Sequence, residues 1–195
     1  MGLMQKKVEA GTWSSPFRRI TLKYTRKKAQ RPQNIESLYL FINGLFQWPR
    51  RWVMVFFWPY DFTYVCPTEI IAFSDNVDKF KELGCDIVGI SVDSVYTHRA
   101  WINTPRDQQG IGPINYPLAS DFKKETAKAY GVLDDASGAA HRGLFIIDPE
   151  GAVRYQVVTD MNVGRSVEET LRILEALQSG GLCPVNWKKG DKTLG

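Results

Sequence analysis

One cysteine of this 195-residue chain has neighbours that suit a reactive thiol, in the stretch DFTYVCPTEI at residues 61–70. Cys66 follows an apolar run and directly precedes Pro67, a residue favoured at the first position of a helix because its missing N–H would be unsatisfied there anyway. That pattern places Cys66 at the N-cap, where free backbone N–H groups and the helix dipole favour a thiolate over a thiol. Thr63 and Glu69 add polar groups that a buried structural cysteine would not require. Cys66 is therefore predicted to be a catalytic nucleophile.

The remaining cysteines and the two histidines limit the alternatives. Cys85 and Cys183 lie too far from Cys66 and from each other to form a CxxC pair, which argues against a zinc ribbon or a dithiol site. We predict no metal and no cofactor, and we expect Cys85, at the start of a strand, to be a core residue. A Cys–His hydrolase remains an alternative, provided that His98 or His141 lies within hydrogen-bond reach of the nucleophile.

The elements that must position Cys66 follow from hydrophobic periodicity and from turn residues. Strands are predicted at 51–58, 85–93, 143–148 and 152–158, and helices at 67–84, 95–103, 121–132 and from Ser166 onward. The first helix shows an apolar face with spacings of three and four, and the last one begins with a capping-box pattern. This order predicts an α/β fold with a central mixed sheet flanked by helices.

Charge is distributed unevenly along the chain. Residues 1–51 hold eleven Lys and Arg against Glu9 and Glu36, a net +9, whereas residues 52–195 hold fourteen basic and nineteen acidic residues, a net −5. The acidic balance of the larger part makes nucleic-acid binding unexpected, and no apolar run is long enough to span a membrane. Because the first residues also lack the apolar core of a secretory signal, we expect a cytoplasmic protein in a reducing setting.

The stretch FFWPYDFTYVCPTEI resembles the active-site segment of the typical two-cysteine peroxiredoxins, the family of thioredoxin peroxidases and of the peroxidase subunit of alkyl hydroperoxide reductase. Pro59, Thr63 and Cys66 match the family pattern of Pro, three residues, Thr, two residues, Cys. Further segments agree in order: YPLASD, AYGVL, HRGLFIIDPEG, VGRSVEETLRILEALQ and CPVNWKKG. The resemblance implies a thioredoxin-like peroxidase domain at 52–180, a C-terminal segment at 181–195 and a basic segment at 1–51 of uncertain structure.

The same resemblance implies a set of functional residues. Cys66 would be the peroxidatic cysteine and Cys183 the resolving one, while Trp187 is expected to be a packing residue of the resolving segment. The residues implied to surround or support the thiolate are Thr63, Pro59, Pro67, Arg142, Glu69 and Arg165. Among them, Thr63 and Arg142 would bond the thiolate, the two prolines would shape its pocket, and the last two would orient Arg142.

The implied reaction reduces hydrogen peroxide or an alkyl hydroperoxide. Cys66 becomes a sulfenic acid and condenses with Cys183 of a second subunit to a disulfide, which thioredoxin or a flavoprotein disulfide reductase reopens. A homodimer assembling to a decamer is implied as well. An alternative of another class is a chaperone-like holdase or scaffold, which would persist without Cys66.

Two departures from the family pattern carry expectations of their own. The sequence of residues 1–51 does not clearly show the first-strand pattern with which the family begins its domain, and a mis-joined gene, genuine divergence and a transit peptide are alternative explanations. Residues 109–112 read Gln-Gly-Ile-Gly, where sensitive family members have Gly-Gly-Leu-Gly, and the chain ends without their Tyr-Phe motif. We therefore predict resistance of Cys66 to overoxidation.

Overall fold

A five-stranded mixed sheet forms the centre of the computed structural model, which describes residues 51–195. The strands are β1 (Trp52–Phe57), β2 (Cys85–Ser91), β3 (Leu118–Ser120), β4 (Arg142–Ile147) and β5 (Val153–Thr159). Their spatial order is β3-β2-β1-β4-β5. β1 pairs with β2 and β2 with β3 in parallel, whereas β1 with β4 and β4 with β5 are antiparallel. The predicted mixed sheet is confirmed, and the expectations for residues 1–50 lie outside the described residues.

Five α-helices accompany the sheet in the described part of the chain. They are α1 (Cys66–Asp75), α2 (Val77–Glu82), α3 (Val95–Asn103), α4 (Glu125–Ala129) and α5 (Val167–Ser179). A 3₁₀ turn at Arg106–Gln108 follows α3. None of these helices is long and apolar enough to cross a membrane.

The sheet is covered on both sides because alternate side chains of β1 enter two separate cores. Met54 and Phe56 belong to the larger core with α1, α2 and α5, while Val53, Val55 and Phe57 belong to a smaller one with β4 and α4. Burial on both faces explains why this strand is an uninterrupted apolar run rather than an alternating one. β1 thus ends in the middle of the fold, directly before the loop that leads to Cys66.

The structure differs from the predicted elements at two helices and one strand. The helix expected at 67–84 is two helices, since Asn76 (φ −107°, ψ 10°) leaves the helical conformation between Asp75 and Val77. β3 was not expected, because three residues after a proline give no periodic signal. The helix expected at 121–132 shrinks to α4, since Lys124 (φ 61°) is left-handed. The Asp121 carboxylate nevertheless accepts bonds from the Thr126 and Ala127 N–H groups at 3.0 and 2.7 Å.

Two further expectations are confirmed, one of them in part. Ser166 caps α5 by accepting a hydrogen bond from the Glu169 N–H at 3.1 Å, but the Glu169 carboxylate binds Arg172 instead of completing a capping box. Trp187 is buried and its indole N–H donates to the Asp191 carbonyl at 3.1 Å, which holds segment 181–195 together. Arg172 also donates to the Trp187 carbonyl, so this segment lies against α5.

Candidate active site

Cys66 lies in the first turn of α1, directly after the loop that follows β1. The helix begins one residue earlier than predicted: Val65 already has helical angles, its carbonyl accepts from Thr68 at 3.1 Å, and Pro67 is the second helical residue. Cys66 is therefore the first residue of α1 and not its N-cap. Its side chain is fully buried.

A guanidinium group reaches the sulfur from β4. Arg142 Nη1 lies 3.4 Å from Cys66 Sγ and donates to it, although 76 residues separate the two in sequence. The same nitrogen donates to Glu69 Oε2 at 2.7 Å, and Arg142 Nε donates to the Met161 carbonyl at 2.7 Å. These bonds fix the guanidinium in one orientation, and β4 places it there because this strand lies next to β1.

Glu69 connects Arg142 to a second arginine. Glu69 Oε1 accepts from Arg165 Nε and from the Arg165 backbone N–H, both at 2.7 Å, and Oε2 accepts from Arg165 Nη2 at 2.9 Å. Arg165 Nη1 donates to the Gly143 carbonyl at 2.6 Å, and its guanidinium carbon lies 5.3 Å from the centre of the Phe56 ring. Both arginines and Glu69 are almost completely buried.

The group formed by Arg142, Arg165 and Glu69 carries a net positive charge next to Cys66. Two arginines and one carboxylate leave a net charge of +1 away from water, where an unbalanced charge is costly. A negatively charged group beside Arg142 would balance this charge, and Cys66 Sγ, 3.4 Å from Arg142 Nη1, occupies that position. The family resemblance implied that Arg142, Glu69 and Arg165 surround or support Cys66. The structure places all three in one buried group next to it.

Thr63, Pro59 and Cys183 are placed differently from that group. The Thr63 hydroxyl donates to the Tyr60 carbonyl at 2.9 Å, so a bond to the sulfur or to a peroxide stays a prediction. Pro59 is buried at the end of the β1 run and Pro67 is half-buried, beside Cys66 in sequence. Cys183 is half-buried, 3.3 Å from Ser179 Oγ and 3.7 Å from the Ala176 carbonyl, and all three cysteines are free.

The other thiol of the described chain lies in a contrasting environment. Cys85, the first residue of β2, is buried in the larger core, as expected. Burial, assisted by the nearby Asp86 charge, raises the pKa of the Cys85 thiol to about 12. At neutral pH this group is therefore a protonated, unreactive thiol.

A histidine pair for Cys66 is not formed. The His98 ring is fully buried, with Nδ1 2.6 Å from Asp61 Oδ2 and Nε2 3.1 Å from the Ala119 carbonyl, so neither ring nitrogen is available to the sulfur. His141 is half-buried, and the group that donates to Cys66 Sγ is the Arg142 guanidinium. Nor do His, Cys, Asp and Glu residues form a metal-binding group among residues 51–195. This geometry does not support the hydrolase alternative.

Two elements of the site gave no signal in the sequence. The Met161 carbonyl acts through the backbone, so its residue type is uninformative. The bond between Asp61 and His98 joins the loop before Cys66 to α3, and a lone histidine on a helix does not indicate its partner. A buried histidine needs hydrogen-bond partners, so a search of the sequence for a carboxylate that could serve His98 would have included Asp61.

Comparison with known proteins gives consistent matches. Residues 44–156 match the AhpC/TSA family. The putative peroxiredoxin YkuU of Bacillus subtilis is 56% identical over 144 residues, which cover 74% of this chain and 80% of that protein. The structure of reduced Plasmodium vivax 2-Cys peroxiredoxin superposes with a TM-score of 0.72 at 44% identity, covering 73% of this chain and 76% of that one.

A third relative bears on assembly. Plasmodium yoelii Prx1a, modified at its N-terminus, is described as forming an artifactual octamer; it superposes with a TM-score of 0.64 at 44% identity, covering 72% of this chain and 83% of that one.

Proposed function

This chain belongs to the AhpC/TSA family of peroxiredoxins, which are thiol-dependent peroxidases, and from that premise we propose that Cys66 is its peroxidatic cysteine. The observation that carries the assignment is the bond of 3.4 Å from Arg142 Nη1 to Cys66 Sγ inside a buried group of net positive charge. The peroxidase domain would comprise residues 52–180, with the resolving cysteine on segment 181–195.

In the proposed reaction the Cys66 thiolate attacks one oxygen of hydrogen peroxide or an alkyl hydroperoxide. The S–O bond forms as the O–O bond breaks, and the departing oxygen takes up a proton and leaves as water or alcohol. Negative charge moves from sulfur to that oxygen, so a fixed donor such as Arg142 is most effective where it faces the moving charge. Sulfur is oxidised to the sulfenic acid, and the peroxide is reduced.

Thr63 and Pro59 have supporting roles in this proposal. Thr63 lies three residues before Cys66, and its hydroxyl, which donates to the Tyr60 carbonyl in this structure, would bond an incoming peroxide instead. Pro59 fixes the exit of the chain from β1, and Pro67 removes one N–H from the first turn of α1. Glu69 and Arg165 position Arg142.

The second step of the proposal uses Cys183. Its thiol attacks the Cys66 sulfenic acid, the S–S bond forms and water leaves. Cys66 is buried and Cys183 lies at the end of α5 against Ser179, so the reaction requires an opening of α1. As in the family, the attacking Cys183 would belong to a second subunit. Thioredoxin or a flavoprotein disulfide reductase would then reduce the disulfide.

A homodimer is proposed from the free edge of the sheet. In the described chain β5 pairs with β4 alone, and its Val153 and Val158 side chains are exposed. An open strand edge with exposed valines is suited to pairing with a second copy. Assembly of such dimers to a decamer, and a cytoplasmic location inferred from the use of free cysteines, complete the proposal.

The test is peroxide consumption by the purified protein with dithiothreitol, beside Cys66→Ser and Cys183→Ser variants and with Cys85→Ser as the matched control. We expect Cys66→Ser to abolish turnover and Cys85→Ser to retain it. On non-reducing gels a disulfide-linked dimer should form with the intact chain and disappear in either of the first two variants. Turnover that survives in Cys66→Ser would contradict the assignment. Suppression of client aggregation without turnover would favour the holdase instead.

A further inference from the structure

The second half of α1 is tied to the segment between α3 and β3 by side-chain bonds. The Tyr116 hydroxyl donates to the Ile70 carbonyl at 2.7 Å. The Asn115 N–H donates to Ser74 Oγ at 3.0 Å, and Arg106 donates through Nη1 and Nη2 to the two oxygens of Asp75 at 3.3 and 3.0 Å. These contacts hold one face of the helix that carries Cys66.

The bond from Tyr116 is the buried one among them. Tyr116 is 8% exposed and Ile70 is fully buried, whereas Arg106 and Asp75 both lie at the surface. The Tyr116 ring packs edge-on against Phe56, with ring centres 5.8 Å apart, so the hydroxyl has a fixed position. Burial raises the pKa of Tyr116 well above 10, which keeps the hydroxyl protonated and able to donate.

Ile70 lies one helical turn after Cys66, and in the helical pattern its N–H donates to the Cys66 carbonyl, so the bond from Tyr116 holds the residue that closes the first turn. In the same pattern the Ile70 carbonyl accepts from the Ser74 N–H, and the Tyr116 hydroxyl provides a second donor. If the Tyr116 hydroxyl is removed, the Ile70 carbonyl still accepts from the Ser74 N–H. An effect on α1 would then come from the lost Tyr116 bond and not from a buried carbonyl without a partner.

The two reaction steps place different demands on α1. A peroxide is small and needs only a small space beside Cys66 Sγ. Disulfide formation needs the whole sulfur to leave Arg142 and meet a second cysteine, so the main chain of the first turn must unwind. Any contact made only in the closed helix therefore slows the second step and leaves the first one almost unchanged.

We propose that Tyr116 is a positioning residue that sets how readily α1 opens, and hence how the Cys66 sulfenic acid divides between two fates. In one, the Cys183 thiol forms the S–S bond and releases water. In the other, the sulfenic acid reacts with a second peroxide, which oxidises it to sulfinic acid and is itself reduced to water or alcohol. This inference rests on the proposed function and adds a residue that does not touch the reacting atoms.

The test compares Tyr116→Phe with Tyr130→Phe. Tyr130 is also buried enough to have a raised pKa, but it packs on Phe57 and Phe145 in the smaller core, away from α1. Reduced protein is mixed with peroxide, quenched at intervals and divided into thiol, disulfide and sulfinic forms by intact mass. Hydrogen exchange of the amides in α1 is measured on the same reduced proteins without peroxide.

We expect Tyr116→Phe to form the disulfide about two- to tenfold faster than the unaltered chain, the factor that one hydrogen bond contributes. The sulfinic fraction at a fixed peroxide dose should fall in the same proportion, and exchange in α1 should accelerate, while the rate of the first oxidation stays the same. Ser74→Ala, which removes the neighbouring bond, should change these values in the same direction and by less.

The inference is overturned if Tyr116→Phe and Tyr130→Phe give equal disulfide rates and equal exchange in α1. It is also overturned if Tyr116→Phe slows the first oxidation as much as it alters the second step, since that would indicate a general structural defect. Failure of the proposed function has a different signature: the unaltered chain would then consume no peroxide, whereas the exchange experiment would still report on the bond between Tyr116 and Ile70.

Discussion

Two buried polar clusters hold the chain on either side of the loop at residues 59–65, and they differ in the partners of their carboxylate. On the side of α1, Glu69 is bonded to two arginines, at contacts of 2.7 Å each. On the side of α3, Asp61 accepts from the Trp58 indole N–H at 2.8 Å and faces His98 Nδ1 at 2.6 Å. Each cluster contains one buried carboxylate, so the comparison isolates the effect of the partner.

The two cations of the arginine cluster are guanidinium groups, which do not release a proton in proteins. In the other cluster, Asp61 can gain or lose a proton. The Ala119 carbonyl can only accept a hydrogen bond, so the N–H of His98 is on Nε2, and Nδ1 faces Asp61. Burial raises the pKa of Asp61, while the bonds from His98 and Trp58 oppose that shift. Two guanidinium groups thus lie in the cluster next to Cys66, and a titratable carboxylate, Asp61, lies in the loop that leads to it.

The largest expected effect is a loss of turnover when Arg142, the cation bonded to Cys66, is replaced. Arg142→Met retains most of the side-chain bulk but loses the donor to Cys66, and kcat/KM for peroxide should fall about a hundredfold or more. Steady-state peroxide consumption at several peroxide concentrations measures it. Arg154→Met, which removes a half-exposed arginine bonded to Asp148, is the control and should keep its activity. Equal losses in both variants would show that Arg142 has no special role.

The next effect is on stability, when the carboxylate of the arginine cluster becomes an amide. Glu69→Gln leaves two buried arginines without a counter-charge and turns an NH₂ group toward their donors. The free energy of unfolding in urea should fall by about 3 kcal/mol, the usual cost of breaking a buried ion pair. A loss below 1 kcal/mol would mean that water enters this cluster.

The same chemical change in the other cluster should cost less. Asp61→Asn keeps an oxygen for the Trp58 N–H and offers an N–H to neutral His98, so the loss should be about 1 kcal/mol. Its pH dependence has a definite sign. Because the folded state raises the pKa of Asp61 above 3.8, its stabilising contribution is complete below that value and is lost as pH rises through the folded pKa.

The difference in unfolding free energy between the unaltered chain and Asp61→Asn should therefore decrease as pH rises above about 4. Urea unfolding at half-unit steps of pH measures this difference, in which exposed groups with lowered pKa values, such as Asp134, cancel. A difference that increases with pH would show that the ionised form of Asp61 is the stabilised one.

The smallest effect is expected for the thiol that lacks a buried cation. Cys85→Ala removes a protonated thiol with a pKa of about 12, and turnover should be unchanged in the peroxide assay. Loss of the disulfide-linked dimer in this variant would assign Cys85 a redox role and would weaken the contrast between the cysteines.

Much of the local structure was predictable because its causes are local. The apolar run of β1, the helix after Pro67 and the cap at Ser166 depend on side chains within a few positions of one another. The predicted boundaries were wrong for two reasons. Asn76 interrupts an apolar face that continues into α2, so periodicity did not reveal the break, and β3 exists because β2 offers a pairing edge.

The sequence by itself determined that Cys66 stands at a helix start behind a buried strand, and that the chain resembles peroxiredoxins closely enough to point to Arg142, Glu69 and Arg165. Only the tertiary structure decided what these residues contact. Arg142 reaches Cys66 across 76 residues, Arg165 reaches Glu69 across 96, and Tyr116 reaches Ile70 across 46. Such contacts depend on which strands are neighbours and on how side chains fill the space between layers, and neither is recorded in the spacing of residue types along one chain.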